Sequence, residues 1–313
     1  MKKPGAYAMA AALLLIWTYF AVATGGLFLS PRNLANLTRQ SSVTAILAVG
    51  MTLVIAAGHI DLSVGSLAGF LGAALAVAVA RLGLPSGLAA AGVVVLGAGL
   101  GAFHGFLTAY QRIPSFIVTL GGLMAYKGGM LALTGGLTIP LPADAWARSL
   151  GNANVPPGWG LPAPLVAVAA LAALFWGMSV WTPFGRRIYA TGGNEEAARL
   201  AGVNTRQIAL AVFSLMGAVA GAAGLILTAR VGSASPEAGK LLELDAIAAC
   251  VIGGASLMGG RGGVPGSLLG ALVMTSLDNG MSLANWGPFW QDIMKGGALV
   301  AAVWFDMRGQ TER

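Results

Sequence analysis

A chain of 313 residues that is 57% hydrophobic and 9% charged, with mean hydropathy +0.78, is not an ordinary soluble domain, since those carry about 25% charged residues. Its net charge of +7 comes from scarce acids and scattered basic residues, and without a basic patch interleaved with aromatics it points to a membrane surface and not to nucleic acid. Cys250 is the single cysteine, which excludes an intramolecular disulfide, and the two histidines, His59 and His104, have no partner at metal-ligand spacing.

In chain order, Met1-Lys2-Lys3 precedes an apolar run over 6–29. That run is longer than a signal-peptide core and reads as a retained first helix with a cytoplasmic N-terminus. Further runs cover 41–57, 62–80, 86–110, 115–134, 161–181, 207–229, 241–258, 263–283 and 291–305. Each is near the length a bilayer needs, so the expected fold is all-α: a polytopic membrane protein of about ten helices, one transmembrane domain over 1–313, both termini on one side. The glycines, 47 in all, suit membrane helices whose backbones approach closely. The basic residues divide unevenly, as the positive-inside rule requires. Lys2, Lys3, Arg112, Arg186, Arg187, Arg199, Arg206, Arg261, Arg308 and Arg313 fall on the expected cytoplasmic side; Arg32, Arg39, Arg81, Arg148, Arg230 and Lys240 fall on the other.

The segment 58–66, Gly-His-Ile-Asp-Leu-Ser-Val-Gly-Ser, interrupts an apolar stretch and predicts a broken or re-entrant segment. A carboxylate at membrane depth is costly, so Asp61 is expected to N-cap the following helix, with Ser63 as the second candidate. His59, Asp61, Ser63 and Ser66, with Asp278 and Asn279 further on, are the candidates for the pathway or the helix break. Gly65-Ser66-Leu67-Ala68-Gly69 aligns with Gly266-Ser267-Leu268-Leu269-Gly270, and Gly58 aligns with Gly259 at the same offset. That pattern suits a parallel internal repeat. Between 135 and 160 the prolines and Trp146 and Trp159 predict an outer loop without further spans.

The most polar stretch is 184–206. Glu195 to Ala201 lacks Gly, Pro and β-branched residues, so a short helix is expected there, capped by Asn194, with Glu195 and Glu196 in its first turn and Gly202 as its stop. Downstream, Glu243 and Asp245 open an expected span but point to different faces. Asp292 and Lys295, three apart, are expected to pair, and Lys127 has no obvious partner. The chain lacks a Gly-x-x-x-x-Gly-Lys-Ser/Thr loop and a His-Glu-x-x-His helix, so an enzyme, in particular an ATPase, is disfavoured.

Glu196-Ala197-Ala198 followed by Gly202 resembles the segment by which permeases of ATP-binding-cassette (ABC) importers dock on their ATPases. The 58–66 and 243–254 segments are similar to permeases of monosaccharide importers, although many of those have glycine where this chain has His59. Residues 113–120, 184–190 and 276–306 look most like the xylose-type branch. The resemblance implies a permease in the bacterial inner membrane, paired with a second permease chain and surrounded by lipid. It further implies a cytoplasmic ATPase dimer that carries the ATP and Mg, and a periplasmic sugar-binding protein. Arg186, Arg187, Asn194, Glu195, Glu196, Ala197, Ala198, Arg199 and Gly202 would form the coupling loop. No cofactor or metal would belong to this chain, and a pentose would be its cargo. The short 135–160 connection departs from xylose-type permeases, which often carry extra spans there, and approaches the ribose type. A branched-chain amino-acid permease, or a carrier or channel working without ATP, is the alternative.

Overall fold

The computed structural model describes residues 4–143, 145–154 and 161–311. Every apolar run forms a helix: α1 (Pro4–Ala23), α2 (Pro31–Ala56), α3 (Val64–Ala80), α4 (Ser86–Ala109), α5 (Ser115–Thr134), then α6 (Trp146–Asn152) in the connection, and α7 (Ala163–Trp181). The polar stretch forms α8 (Pro183–Gly193) and α9 (Glu195–Leu200), and the chain continues as α10 (Thr205–Val231), α11 (Leu242–Ile252), α12 (Val264–Leu283) and α13 (Pro288–Thr311). Among the described residues α2, α4, α5, α7 and α10 are long and apolar enough to cross a membrane.

The bundle is centred on α10 and α2. α2 is buried all round over 43–56, including Ile46, Leu47, Met51 and Ile55, and α10 buries one broad face, including Phe213, Met216 and Ala220. Glycine permits the tightest crossing: a Cβ on Gly217 of α10 would collide with the Gly97 carbonyl of α4, and one on Gly101 with the Phe213 carbonyl. In lipid, where burying apolar surface gives no advantage over leaving it in hydrocarbon, such backbone approach is what holds helices together.

The two ends of the bundle are distinct. Gly58, Arg112, Glu195 and Arg206 share one cleft beside α9, and Gly260 there donates its N–H to the Ala56 carbonyl at 3.0 Å. At the opposite end Arg81 reaches the Leu133 and Thr134 carbonyls, and Arg148 the Leu141 carbonyl. The repeated glycine loops meet at the α9 end: Gly58 and Gly259 both have left-handed backbones, and a Cβ on Gly259 would strike the Gly58 Cα. α3 and α12 each start just after one of these loops.

Several expectations are corrected. The run 241–258 is not a full span, since α11 has 11 residues, about 16 Å of helix against a hydrocarbon thickness of about 30 Å. The preceding residues re-enter the bundle without helix and run along α3. Ala234 packs with Ala73 and Ala76, the Ala238 carbonyl would meet a Cβ on Gly69, and the Gly239 carbonyl one on Gly65. Lys240 therefore follows a residue packed on the first turn of α3 and does not lie at the Arg81 end, where the outer loop was expected. The first copy of the repeated motif owes Gly65 and Gly69 to this approach, and the second owes Gly266 and Gly270 to the Gly253 and Ala249 carbonyls, because only residues without Cβ let a second backbone lie so close to the helix.

The 135–160 connection is more than a loop. It holds α6 and a two-residue strand β1 (Ile139–Pro140) paired antiparallel with β2 (Ser233–Ala234), and α6 rests on the end of α10, where a Cβ on Gly151 would collide with Ala229. Trp159, Lys2, Lys3 and Arg313 lie outside the described residues.

Candidate coupling site and substrate pathway

The polar stretch is two helices, where sequence showed one. Thr182 caps α8 by accepting the Gly185 N–H at 3.2 Å, with Pro183 at the first helical position, where proline's missing N–H is not needed. α8 is anchored at the junction of the two glycine loops, since a Cβ on Gly192 would run into the Ala56 carbonyl. Its Tyr189 hydroxyl donates to the Gly262 carbonyl at 3.1 Å. Arg186 and Arg187 project from it into solvent.

α9 forms as its residues require. The Asn194 side chain accepts the Ala197 N–H at 2.9 Å, and Gly202 ends the helix with φ +84°. Ala198 is buried against the body, while Glu195, Glu196, Ala197 and Arg199 are exposed, with Arg199 pairing to Glu196 at 3.3 Å. Leu200 is 80% exposed at the tip. The helix thus turns one small residue inward and presents acid, base and leucine outward. The adjoining cleft of ≈ 680 Å³ is lined by His59, Arg112, Glu195, Glu196, Arg199 and Arg206, so α9 shares this cleft with the α2–α3 break and the facing ends of α4 and α5.

At the break, Asp61 does not N-cap α3. Ser63 occupies the cap position, and Asp61 Oδ1 accepts both the Ser63 N–H at 2.8 Å and the Ser63 hydroxyl at 2.6 Å. The polar contacts continue where sequence gave no sign of them. Ser63 Oγ lies 3.5 Å from His104 Nδ1, and the Tyr126 hydroxyl lies 2.8 Å from His104 Nε2. With the Ser63 proton on Asp61, the consistent direction is Tyr126 O–H to Nε2 and Nδ1–H to Ser63 Oγ, so each buried polar group has a partner. Gly122 leaves room for the imidazole, which a Cβ there would strike. This chain ties α3, α4 and α5 together. Thr119 adds to it by accepting the Leu62 N–H at 3.1 Å. Ser66 is half-buried on α3, and His59 lies against Phe213, ring centroids 5.5 Å apart and planes tilted by 43°, beside the cleft.

The remaining candidates separate. Asn279 and Asn33 exchange side-chain hydrogen bonds of 2.8 and 3.1 Å, locking α12 to α2. Asp278 joins an ion cluster: Lys295 lies 2.8 Å from Asp278 Oδ2 and 3.0 Å from Asp245 Oδ2. The expected Asp292–Lys295 pair is thus replaced by partners on α11 and α12, because burial favours the carboxylates that Lys295 can reach within the bundle. Glu243, on the other face of α11, packs against Gly65.

The family model described as "Branched-chain amino acid transport system / permease component" matches residues 33–303. The chain is 41% identical to the xylose transport system permease protein XylH of Escherichia coli, over 96% of this chain and 91% of that one. It is 40% identical to the corresponding XylH of Haemophilus influenzae, over 96% and 95%. It is also 40% identical to the ribose import permease protein RbsC of Escherichia coli, over 90% and 88%. No solved structure matches the chain. With its multi-pass helical bundle and an exposed, capped α9 where the motif implied one, the chain belongs to this family of ABC-importer permeases.

Proposed function

We propose that the chain is the membrane subunit of an importer that moves a pentose, xylose first, across the inner membrane, driven by a separate ATPase that grips α9. The observation that carries the reading is α9 itself, which presents Glu195, Glu196, Arg199 and Leu200 outward and sits on the cleft that reaches the α2–α3 break. ATP-driven closure of an ATPase dimer would push this helix and tilt the attached elements. The two access states then differ in how α9 is held, as any such switch requires. In this reading the α9 end and both termini are cytoplasmic, two permease chains flank the pathway, and a periplasmic protein delivers the sugar. ATP and Mg stay with the ATPase.

Identity near 40% to xylose and ribose permeases over almost the whole chain favours sugar over branched-chain amino acids, although the broad family carries the latter name. Ribose is the second cargo, on a specific ground. The ribose-permease alignment runs over 283 residues, about the 90% of this chain that it covers, whereas the xylose-permease alignment runs over 358 for about 300. The surplus of about 58 is enough for two spans that this chain lacks. ATP-dependent uptake of labelled xylose and ribose into proteoliposomes holding this chain, its ATPase and its binding protein tests the reading. Uptake without ATP would make the protein a carrier or channel, and an active complex refusing both sugars would overturn the cargo.

A further inference from the structure

We propose that Lys127, Glu237 and Lys240 line the aqueous sugar pathway between the two permease chains. This rests on the importer reading above.

Depth is the first ground. Lys127 stands twelve residues into α5, about 18 Å along the helix. Ala238 packs on Gly69 and Gly239 on Gly65. Those positions are twelve and sixteen residues from Arg81 at the far end of α3, so they lie about 18 and 24 Å inside. The non-helical segment 235–241 therefore lies within the hydrocarbon thickness of about 30 Å. Non-helical backbone is tolerated there only when buried in protein or facing water.

Adjacency is the second ground. Gly69 is approached by the Ala238 carbonyl and also by the Met130 sulfur of α5. Lys127 precedes Met130 by one turn, so α5 and the re-entrant segment lie side by side on α3. The side chains of Lys127, Glu237 and Lys240 are exposed, and none of the three forms an ion pair among the described residues. Three exposed charges at this depth are incompatible with lipid tails, since a charge at the bilayer centre costs about 2.5 kcal/mol or more. Water must reach them.

The third ground is the turn that presents them. Leu241 adopts φ +60° at the start of α11, a conformation that non-glycine residues avoid and that clusters at functional sites. It turns the chain from the re-entrant segment into α11 and leaves Glu237 and Lys240 on the open side. In the importer reading one copy supplies only one wall of the pathway. A second copy related by two-fold symmetry repeats the same face, and the enclosed space presents ammonium donors and a carboxylate acceptor suited to the hydroxyls of a neutral sugar.

The test uses Lys127→Cys, Glu237→Cys and Lys240→Cys in the reconstituted complex, with native Cys250, fully buried, as the blank. Leu174→Cys on α7, 61% exposed in the single chain, is the lipid-facing control. A charged, water-soluble thiol reagent reacts with the thiolate, so the pathway positions are expected to label at least about tenfold faster than Leu174→Cys. A bifunctional maleimide should join two copies through Lys127→Cys or Glu237→Cys. Labelling as slow as the control at Glu237 and Lys240 overturns the pathway assignment, and absence of cross-linking at both positions overturns the two-copy arrangement. Lys127→Gln with Glu237→Gln should raise the KM for xylose several-fold while ATPase stimulation is kept, and an unchanged KM overturns the sugar contact. Labelling needs only the inserted chain. Failure of pentose uptake would therefore count against the cargo, and unlabelled positions in a working importer would count against this inference alone.

Discussion

Lys295 on α13 stands between Asp278 and Asp245, 2.8 Å from one carboxylate and 3.0 Å from the other, so a single ammonium fastens the half-helix α11 to α12. Two carboxylates against one cation is tolerable only while the cation is present. Lys295→Met is expected to destabilise the protein by about 3–5 kcal/mol, because it leaves two neighbouring buried charges without compensation. Lys295→Met combined with Asp245→Asn and Asp278→Asn should recover much of the loss, as neutral groups replace the stranded ions. Thermal unfolding of the detergent-solubilised protein checks both. A Lys295→Met variant as stable as the wild type would mean that the cluster is not a fastening.

None of that cluster's pairing was legible from spacing, because Lys295 reaches across 50 residues to Asp245 and ignores Asp292 three residues away. Local rules served where the chain's own neighbours decide the outcome. The Asn194 cap and the Gly202 stop follow from backbone geometry within one turn, and α9 formed as read. Apolar runs likewise announced every long helix. They could not show that 241–258 holds only a half-helix, because the eleven residues of α11 and the apolar turn after them together have the hydropathy of a span. His104 and Tyr126 carried no local sign either, since each finds its partner on another helix, His104 in Ser63 and Tyr126 in His104.

The coupling helix gives a prediction that separates stability from coupling. Glu196 is exposed and its pair with Arg199 spans one turn of the surface, an arrangement worth about 0.3–0.5 kcal/mol or less. Glu196→Ala should leave folding and insertion unchanged while ATP-dependent uptake collapses. Asn194→Ala removes the cap from a helix of six residues that is too short to hold itself, at a cost of about 1 kcal/mol; it should weaken coupling through disorder of α9. Uptake and sugar-stimulated ATPase activity, measured together, check these expectations. Normal values for Glu196→Ala would remove α9 from the coupling role.

The buried chain at the helix break predicts a graded response. Tyr126→Phe takes away the proton donated to His104 Nε2, 2.8 Å away, and strands that nitrogen at a cost of about 1–3 kcal/mol. His104→Leu should cost more, because it leaves both Ser63 and the Tyr126 hydroxyl without this partner. Thermal stability in detergent is the measurement, and a Tyr126→Phe protein equal to the wild type would show that the hydroxyl has another partner.

The glycines along α3 distinguish packing from mere composition. On α4, a Cβ at Gly99 meets nothing within 4 Å, whereas at Gly65 it would meet the Glu243 carboxylate and the Gly239 carbonyl, and at Gly69 the Ala238 carbonyl. Gly99→Ala should therefore be neutral in the single chain's packing, or stabilising by up to about 1 kcal/mol through helix propensity. Gly65→Ala and Gly69→Ala must push the re-entrant backbone away from α3. The close approach forfeited there is the attraction that holds this segment, and overpacking of this kind costs about 1–3 kcal/mol. Because the displaced segment carries Glu237 and Lys240, transport should fall even in protein that remains folded. The comparison is made on yield of folded protein and on initial uptake rate, with Gly99→Ala beside the other two. Equal behaviour of all three would mean that the segment does not rest on α3, whereas loss confined to Gly65→Ala and Gly69→Ala would show that these glycines are the track on which the re-entrant segment lies.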